Sequence, residues 1–175
     1  MSRPLETALV LVLDEAEPFD RVRGDFAAAT VALGIPFHVT LLYPFAPVDE
    51  LTDAVIAETR DFFAAREPIE FSLTRIATWP DVVYAVPEPD AALRECMQAL
   101  YQIFPSWPPY GGEHAEVVPH ATLGEDVDAA RVVAEIERRL AADLPKRYKP
   151  DAATLLQEFA PDEWRPRKRF PFGGR

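Results

Sequence analysis

The tetrapeptide His-x-Thr-Leu occurs twice in this chain, as His38-Val39-Thr40-Leu41 and as His120-Ala121-Thr122-Leu123. With only three histidines and nine threonines, random placement would put a threonine at +2 of two histidines in roughly one chain per hundred. Both copies lie in short apolar runs punctuated by proline or glycine. The first runs from Phe37 to Tyr43 and ends at Pro44; the second follows Val117-Val118-Pro119 and stops at Gly124. Such runs read as β-strands. Residues i and i+2 of a strand share a face. Each copy therefore presents an imidazole beside a hydroxyl, with Val39 and Leu41, or Ala121 and Leu123, turned to the opposite apolar side. One such motif alone reads as a half-buried strand histidine bonded to its neighbour. Two together read as strands facing one another across a paired-histidine site.

Strands and helices alternate along the rest of the chain. A strand is predicted at about 7–13, then a helix at about 18–33 with Phe19, Val22, Phe26, Ala29 and Leu33 as its buried stripe. After the first motif, a helix at about 49–65 has Asp49 as its candidate cap. Strands follow at about 69–78 and 82–87, then a helix at about 90–104 whose stripe includes the single cysteine, Cys96. Pro105 to Gly112, with three prolines and two glycines, fits neither a helix nor a central strand. A helix at about 128–142 and strands at about 147–159 and 164–171 complete the pattern. The two motifs call for two sheets with helices on their outer faces, an α+β arrangement of two lobes about a central cleft, all within one domain over 1–175.

A phosphodiester suits such a cleft. The attacking oxygen must lose a proton and the departing oxygen must gain one, and imidazole titrates near pH 6.5, so one histidine can be neutral while the other is charged. His38 and His120 are the candidate catalytic pair. Thr40 and Thr122 are candidate donors to the nonbridging phosphate oxygens. No His-Glu-x-x-His helix, Cys-x-x-Cys pair or glycine-rich nucleotide loop occurs, so neither a metal nor another cofactor is expected. His114, with no threonine at +2, reads as a surface residue.

The net charge of −11 repels long polyanions and removes the counterion-release contribution to general nucleic-acid binding, so a small nucleotide or an RNA terminus is expected rather than a long duplex. Arg165, Arg167 and Arg169 would alternate onto one face of the last strand, either lining the cleft for phosphate or forming a solvated edge. Tyr43 and Phe45 are further candidate substrate contacts, although strand alternation turns Tyr43 away from His38 unless a bulge intervenes. Trp79, Tyr84, Trp107 and Tyr110 could stack on a base, and packing is the alternative reading for most of them. No apolar run approaches a membrane span, and a lone cysteine fits a reducing compartment; a cytoplasmic monomer is expected.

The segments Phe37 to Phe45 and Val118 to Gly124, the stretch Trp79 to Pro89 and the ending Trp164 to Gly173 resemble the two-histidine (2H) phosphoesterase superfamily, particularly its bacterial 2'-5' RNA ligase-like and RNA 2',3'-cyclic phosphodiesterase branch. The resemblance spans nearly the whole chain. It implies the two-lobed LigT-like fold with approximate twofold symmetry, and metal-independent opening of 2',3'-cyclic phosphates or 2'-5' linkages, with ligation as the reverse reaction. It further implies His120 as base and His38 as acid. A non-catalytic nucleotide- or RNA-binding protein, and the same chemistry on a non-RNA cyclic phosphate or cyclic oligonucleotide signal, are the alternatives.

Overall fold

The computed structural model describes residues 3–113 and 116–173, so His114 lies outside the described residues. Strands β1 (Thr7–Val12), β2 (His38–Leu42), β3 (Phe71–Trp79), β4 (Val82–Glu88), β5 (Ala121–Glu125), β6 (Lys146–Tyr148), β7 (Ala152–Ala160) and β8 (Glu163–Pro171) form two antiparallel sheets. One has the order β2-β1-β7-β8, the other β5-β4-β3-β6. Each histidine motif thus supplies the edge strand of its sheet. Those two edges face each other.

Helices α1 (Glu17–Phe26), α2 (Ala28–Ala32), α3 (Asp53–Ala64), α4 (Ala91–Ile103) and α5 (Ala129–Leu140) cover the sheets. An approximate twofold relates β1-α1-β2 to β4-α4-β5, and the covering helices are exchanged: α1 packs on β5, while α4 packs on β2. Helices α3 and α5 lie against β8 and β3 respectively. One apolar core runs through both sheets. It joins Leu9, Leu41 and Leu155 of the first sheet to Leu73, Val83 and Leu123 of the second, all fully buried. Burying each such side chain contributes about 1.5–3 kcal/mol, an upper figure for a real unfolded chain.

Four local expectations need correction. The helix expected over 18–33 breaks at Ala27 (φ −140°, ψ 40°). Phe19 and Val22 stay in the main core, whereas Leu33 is re-aimed against a smaller cluster containing Val10, Leu156 and Trp164. Asp49 does not cap α3; Thr52 does, its hydroxyl accepting from the Val55 amide at 3.3 Å. The strand expected over 147–159 is two strands in different sheets, because Pro150, with no N–H for a ladder, separates β6 from β7. Within Pro105–Gly112, residues Pro109–Gly112 close a short 3-10 turn rather than plain loop. Among the described residues no helix is long and apolar enough to cross a membrane.

Candidate active site

Both motifs depart from simple alternation in the same way. In β2, Val10 pairs with Thr40 but Leu9 pairs with Leu42, so Leu41 is the extra residue of a bulge. In β5, Tyr84 pairs with Thr122 but Val83 pairs with Gly124, so Leu123 is the extra residue. Leu41 and Leu42 are consequently both buried in the core, and the next residue, Tyr43, turns back toward the cleft. After the second bulge Glu125 does the same. A bulge re-aims the side chains beyond it; here it gives each motif a third cleft residue at +5 from its histidine.

His38, Thr40, His120 and Thr122 line one cleft of about 390 Å³ between the edge strands. The histidines are held alike. Nδ1 of His38 donates to the Pro36 carbonyl at 2.7 Å, and Nδ1 of His120 donates to the Val118 carbonyl at 2.7 Å. A carbonyl can only accept, so Nδ1 carries the proton in both rings and Nε2 is left for the cleft. Nε2 of His38 lies 3.2 Å from the Thr40 hydroxyl. Trp79 and Tyr84 set the His120 ring edge-on, with ring centroids 4.9 and 5.6 Å away.

Charge around the two imidazoles is unequal. Burial, with smaller contributions from the Arg23 guanidinium and from His120, holds His38 down at about 4, against the pull of its Pro36 carbonyl. His120 is also lowered by burial, but its Val118 carbonyl and the Glu125 carboxylate both favour the charged ring. Arg23 is 4% exposed and donates to Asp20 at 2.9 Å and to the Ile35 carbonyl at 2.8 Å. At the other wall, the Tyr43 hydroxyl donates to Glu6 at 2.7 Å. Arg3 grips the fully buried Glu158 through two bonds of 2.6 and 2.7 Å.

The remaining candidates scatter. Phe45 is buried in the core against Phe104 and Trp107, with centroids 5.0 and 5.4 Å away. None of Arg165, Arg167 and Arg169 lines the histidine cleft, and they do not share a face. A bulge at Arg167 pairs Arg169 with Thr154 but Arg165 with Gln157, three residues on, which reverses the side. Arg165 covers the Phe159 ring, Arg167 donates to Gln157, and Arg169 pairs with Asp151 at 2.5 Å beside a separate depression. Arg3 and Arg23 take the place expected of them. Those two, with Glu125, Thr30 and Trp164, were not singled out from sequence; extending the repeat to +5 would have found Glu125. Among the described residues no group of three or more His, Cys, Asp or Glu is placed to hold a metal ion.

Two sheets that meet along paired His-x-Thr strands, with helices on their far faces, define the 2H phosphoesterase architecture. The chain belongs to the 2'-5' RNA ligase superfamily, whose family model matches residues 11–160. It is 26% identical over 145 residues, 81% of each chain, to a Geobacillus kaustophilus protein named "Putative phosphoesterase GK0864". Its fold is similar to apo E. coli LigT (TM-score 0.61, 18% identity, 98% of this chain and 99% of that one). It is also similar to E. coli LigT complexed with 3'-AMP (TM-score 0.58, 18% identity, 97% and 99% covered).

Proposed function

We propose that this phosphoesterase opens 2',3'-cyclic phosphates, or cleaves 2'-5' linkages, at nucleotide or RNA termini without a metal ion. The observation that carries the reading is the matched pair of imidazoles, each with Nδ1 fixed by a carbonyl two residues upstream and Nε2 left to one cleft with Thr40 and Thr122. The nucleotide complexes of E. coli LigT support a nucleotide-sized ligand.

In hydrolysis one imidazole takes a proton from water as the water oxygen bonds to phosphorus. The other gives a proton to the ribose oxygen as its bond to phosphorus breaks, leaving a phosphomonoester. The Thr40 and Thr122 hydroxyls donate to the nonbridging oxygens, where charge accumulates. Burial favours the neutral form of both rings; the Arg23 guanidinium adds to this at His38, whereas the Glu125 carboxylate opposes it at His120. These charges make His38 the base and His120 the acid in the hydrolytic direction, the reverse of the roles the family resemblance implied. With an RNA hydroxyl in place of water, the same opening of the cyclic phosphate forms a linkage: the base takes the proton of that hydroxyl as its oxygen bonds to phosphorus, and the acid protonates the departing ribose oxygen.

The test is turnover of 2',3'-cyclic nucleotides, 2'-5' dinucleotides and cyclic-phosphate-ended RNA with EDTA present. Activity should persist in the chelator. His38→Ala and His120→Ala should each lower kcat by at least about a hundredfold, the lower range for an acid–base group, while the fold is retained. Loss of activity in EDTA with recovery on adding a divalent ion would overturn the reading, as would binding without turnover across the panel.

A further inference from the structure

Glu125 is out of place in a cleft that receives an anion. It lies on the cleft wall, half-buried, and repels a phosphate beside it. Among the described residues no lysine or arginine pairs with it; its hydrogen-bond partner is the Thr30 hydroxyl, which donates to Oε2. An ionised carboxylate only accepts. Its place in the cleft therefore suits a neutral part of the substrate that presents N–H or O–H groups.

The surroundings say which part. Tyr43, the residue equivalent to Glu125 in the first motif, sets its ring edge-on to Tyr110 at 6.2 Å and to Trp164 at 6.4 Å. Leu33 joins these rings on the cleft wall. Glu6 and Asp162 line the cleft too, but Glu6 already accepts from the Tyr43 hydroxyl, and flat apolar rings in one cleft with the Glu125 acceptor suit a planar heterocycle. The strand from His120 to Glu125, less the bulged residue, spans roughly 13 Å. That length accommodates a nucleoside attached to a phosphate held at His120.

We propose that Glu125 is a specificity-determining residue that accepts hydrogen bonds from the edge of the substrate base, and that the base it selects is guanine. The inference rests on the phosphodiesterase reading above. Guanine presents adjacent N1–H and N2–H donors, which match the two oxygens of one carboxylate. Uracil offers a single N–H between two carbonyl oxygens, and those oxygens face the carboxylate unfavourably. Adenine and cytosine each offer one amino group beside a ring acceptor. Failure to pair a buried polar group discriminates strongly against such analogues.

The experiment measures kcat/KM for the four 2',3'-cyclic nucleoside monophosphates with the wild-type protein and with Glu125→Gln. Wild type should prefer the guanosine substrate to the uridine substrate by about tenfold or more, the worth of one hydrogen bond to a charged group. In the variant the ratio should fall to within about threefold. Because it is a ratio within one protein, it is unaffected by any change at His120 or in the active fraction. A wild-type ratio within about threefold, or a variant that keeps the wild-type ratio, overturns the proposal. If wild type turns over none of the four, the phosphodiesterase reading fails instead. Calorimetric affinities for 3'-GMP and 3'-UMP then decide the base reader alone: tighter guanosine binding supports it, and equal affinities overturn it.

Discussion

A single backbone carbonyl behind each imidazole fixes what that ring can do. With Nδ1–H committed to Pro36 or Val118, only Nε2 is left to exchange protons in the cleft, and the charges nearby set when. The base must be neutral, and burial holds His38 down at about 4, so the acid limb of kcat/KM should fall well below pH 6.5. The acid must be charged, and His120 is also lowered, so the alkaline limb of the free protein should begin below pH 6.5. A bound phosphate favours both imidazolium forms, so the kcat profile should lie at higher pH than the kcat/KM profile. Glu125→Gln removes a charge that favours the His120 imidazolium and should move the alkaline limb further toward acid. Steady-state profiles of both parameters check this; coincident profiles would show that substrate charge does not reach the rings. The histidines and threonines were legible because i, i+2 alternation survives any strand register. Tyr43 was legible only on condition of a bulge, and Glu125 was not singled out, because the orientation of both depends on a one-residue bulge whose register comes from pairing with β1 and β4, which a single strand's sequence does not encode.

Element boundaries decide the shape of the cleft wall on which Tyr43 rests. Gly34 adopts φ +86°, and a Cβ added there would lie 2.5 Å from the Trp164 carbonyl oxygen. The same contact carries a hydrogen bond, from the Trp164 amide to the Leu33 carbonyl at 2.8 Å. Gly34→Ala therefore combines an unfavourable left-handed residue, about 1–2 kcal/mol, with a backbone clash that must displace β8 or the turn. The expected loss is roughly 2 kcal/mol or more in denaturant unfolding, with a raised KM because Leu33 and Trp164 both line the cleft. A change under about 0.5 kcal/mol would mean that the turn relaxes freely. Helix periodicity located α1, α3, α4 and α5 within a few residues, since each must bury one stripe. It missed the break at Ala27 because Phe26, Ala29 and Leu33 continue the stripe of Phe19 and Val22 on paper. The three-residue β6, Lys146-Arg147-Tyr148, has no pattern of its own and was merged with β7, because their assignment to different sheets is a long-range choice.

Charge belongs to the molecule as a whole. With a net −11 and, among the described residues, only Arg3 and Arg23 as lysine or arginine cations on the cleft wall, each already engaged by a carboxylate, attraction for phosphate is local and short-ranged. Affinity for cyclic-phosphate-ended RNA should level off at a few nucleotides. The logarithmic salt slope should be about −0.7 to −1.4, as for one or two single-strand phosphate contacts. Titrations of oligonucleotides of increasing length at several salt concentrations test this. Affinity that keeps climbing with length would place further cationic contacts outside the cleft. Net charge and its sign were read directly from composition. Which cations reach the cleft was not, because Arg23 arrives on α1 and Arg3 on the segment before β1, far in sequence from both motifs.

The exchanged helices make the twofold more than a likeness. Helix α1 leaves its own sheet to roof β5, α4 returns the favour over β2, and β3 and β7 each complete the sheet begun by the other half of the chain. Severed at the Pro80-Asp81 turn, either piece would carry a helix with no floor and a sheet with no roof. The two histidines therefore cannot be brought together by docking two finished modules. Folding the chain and assembling the reactive pair are one event.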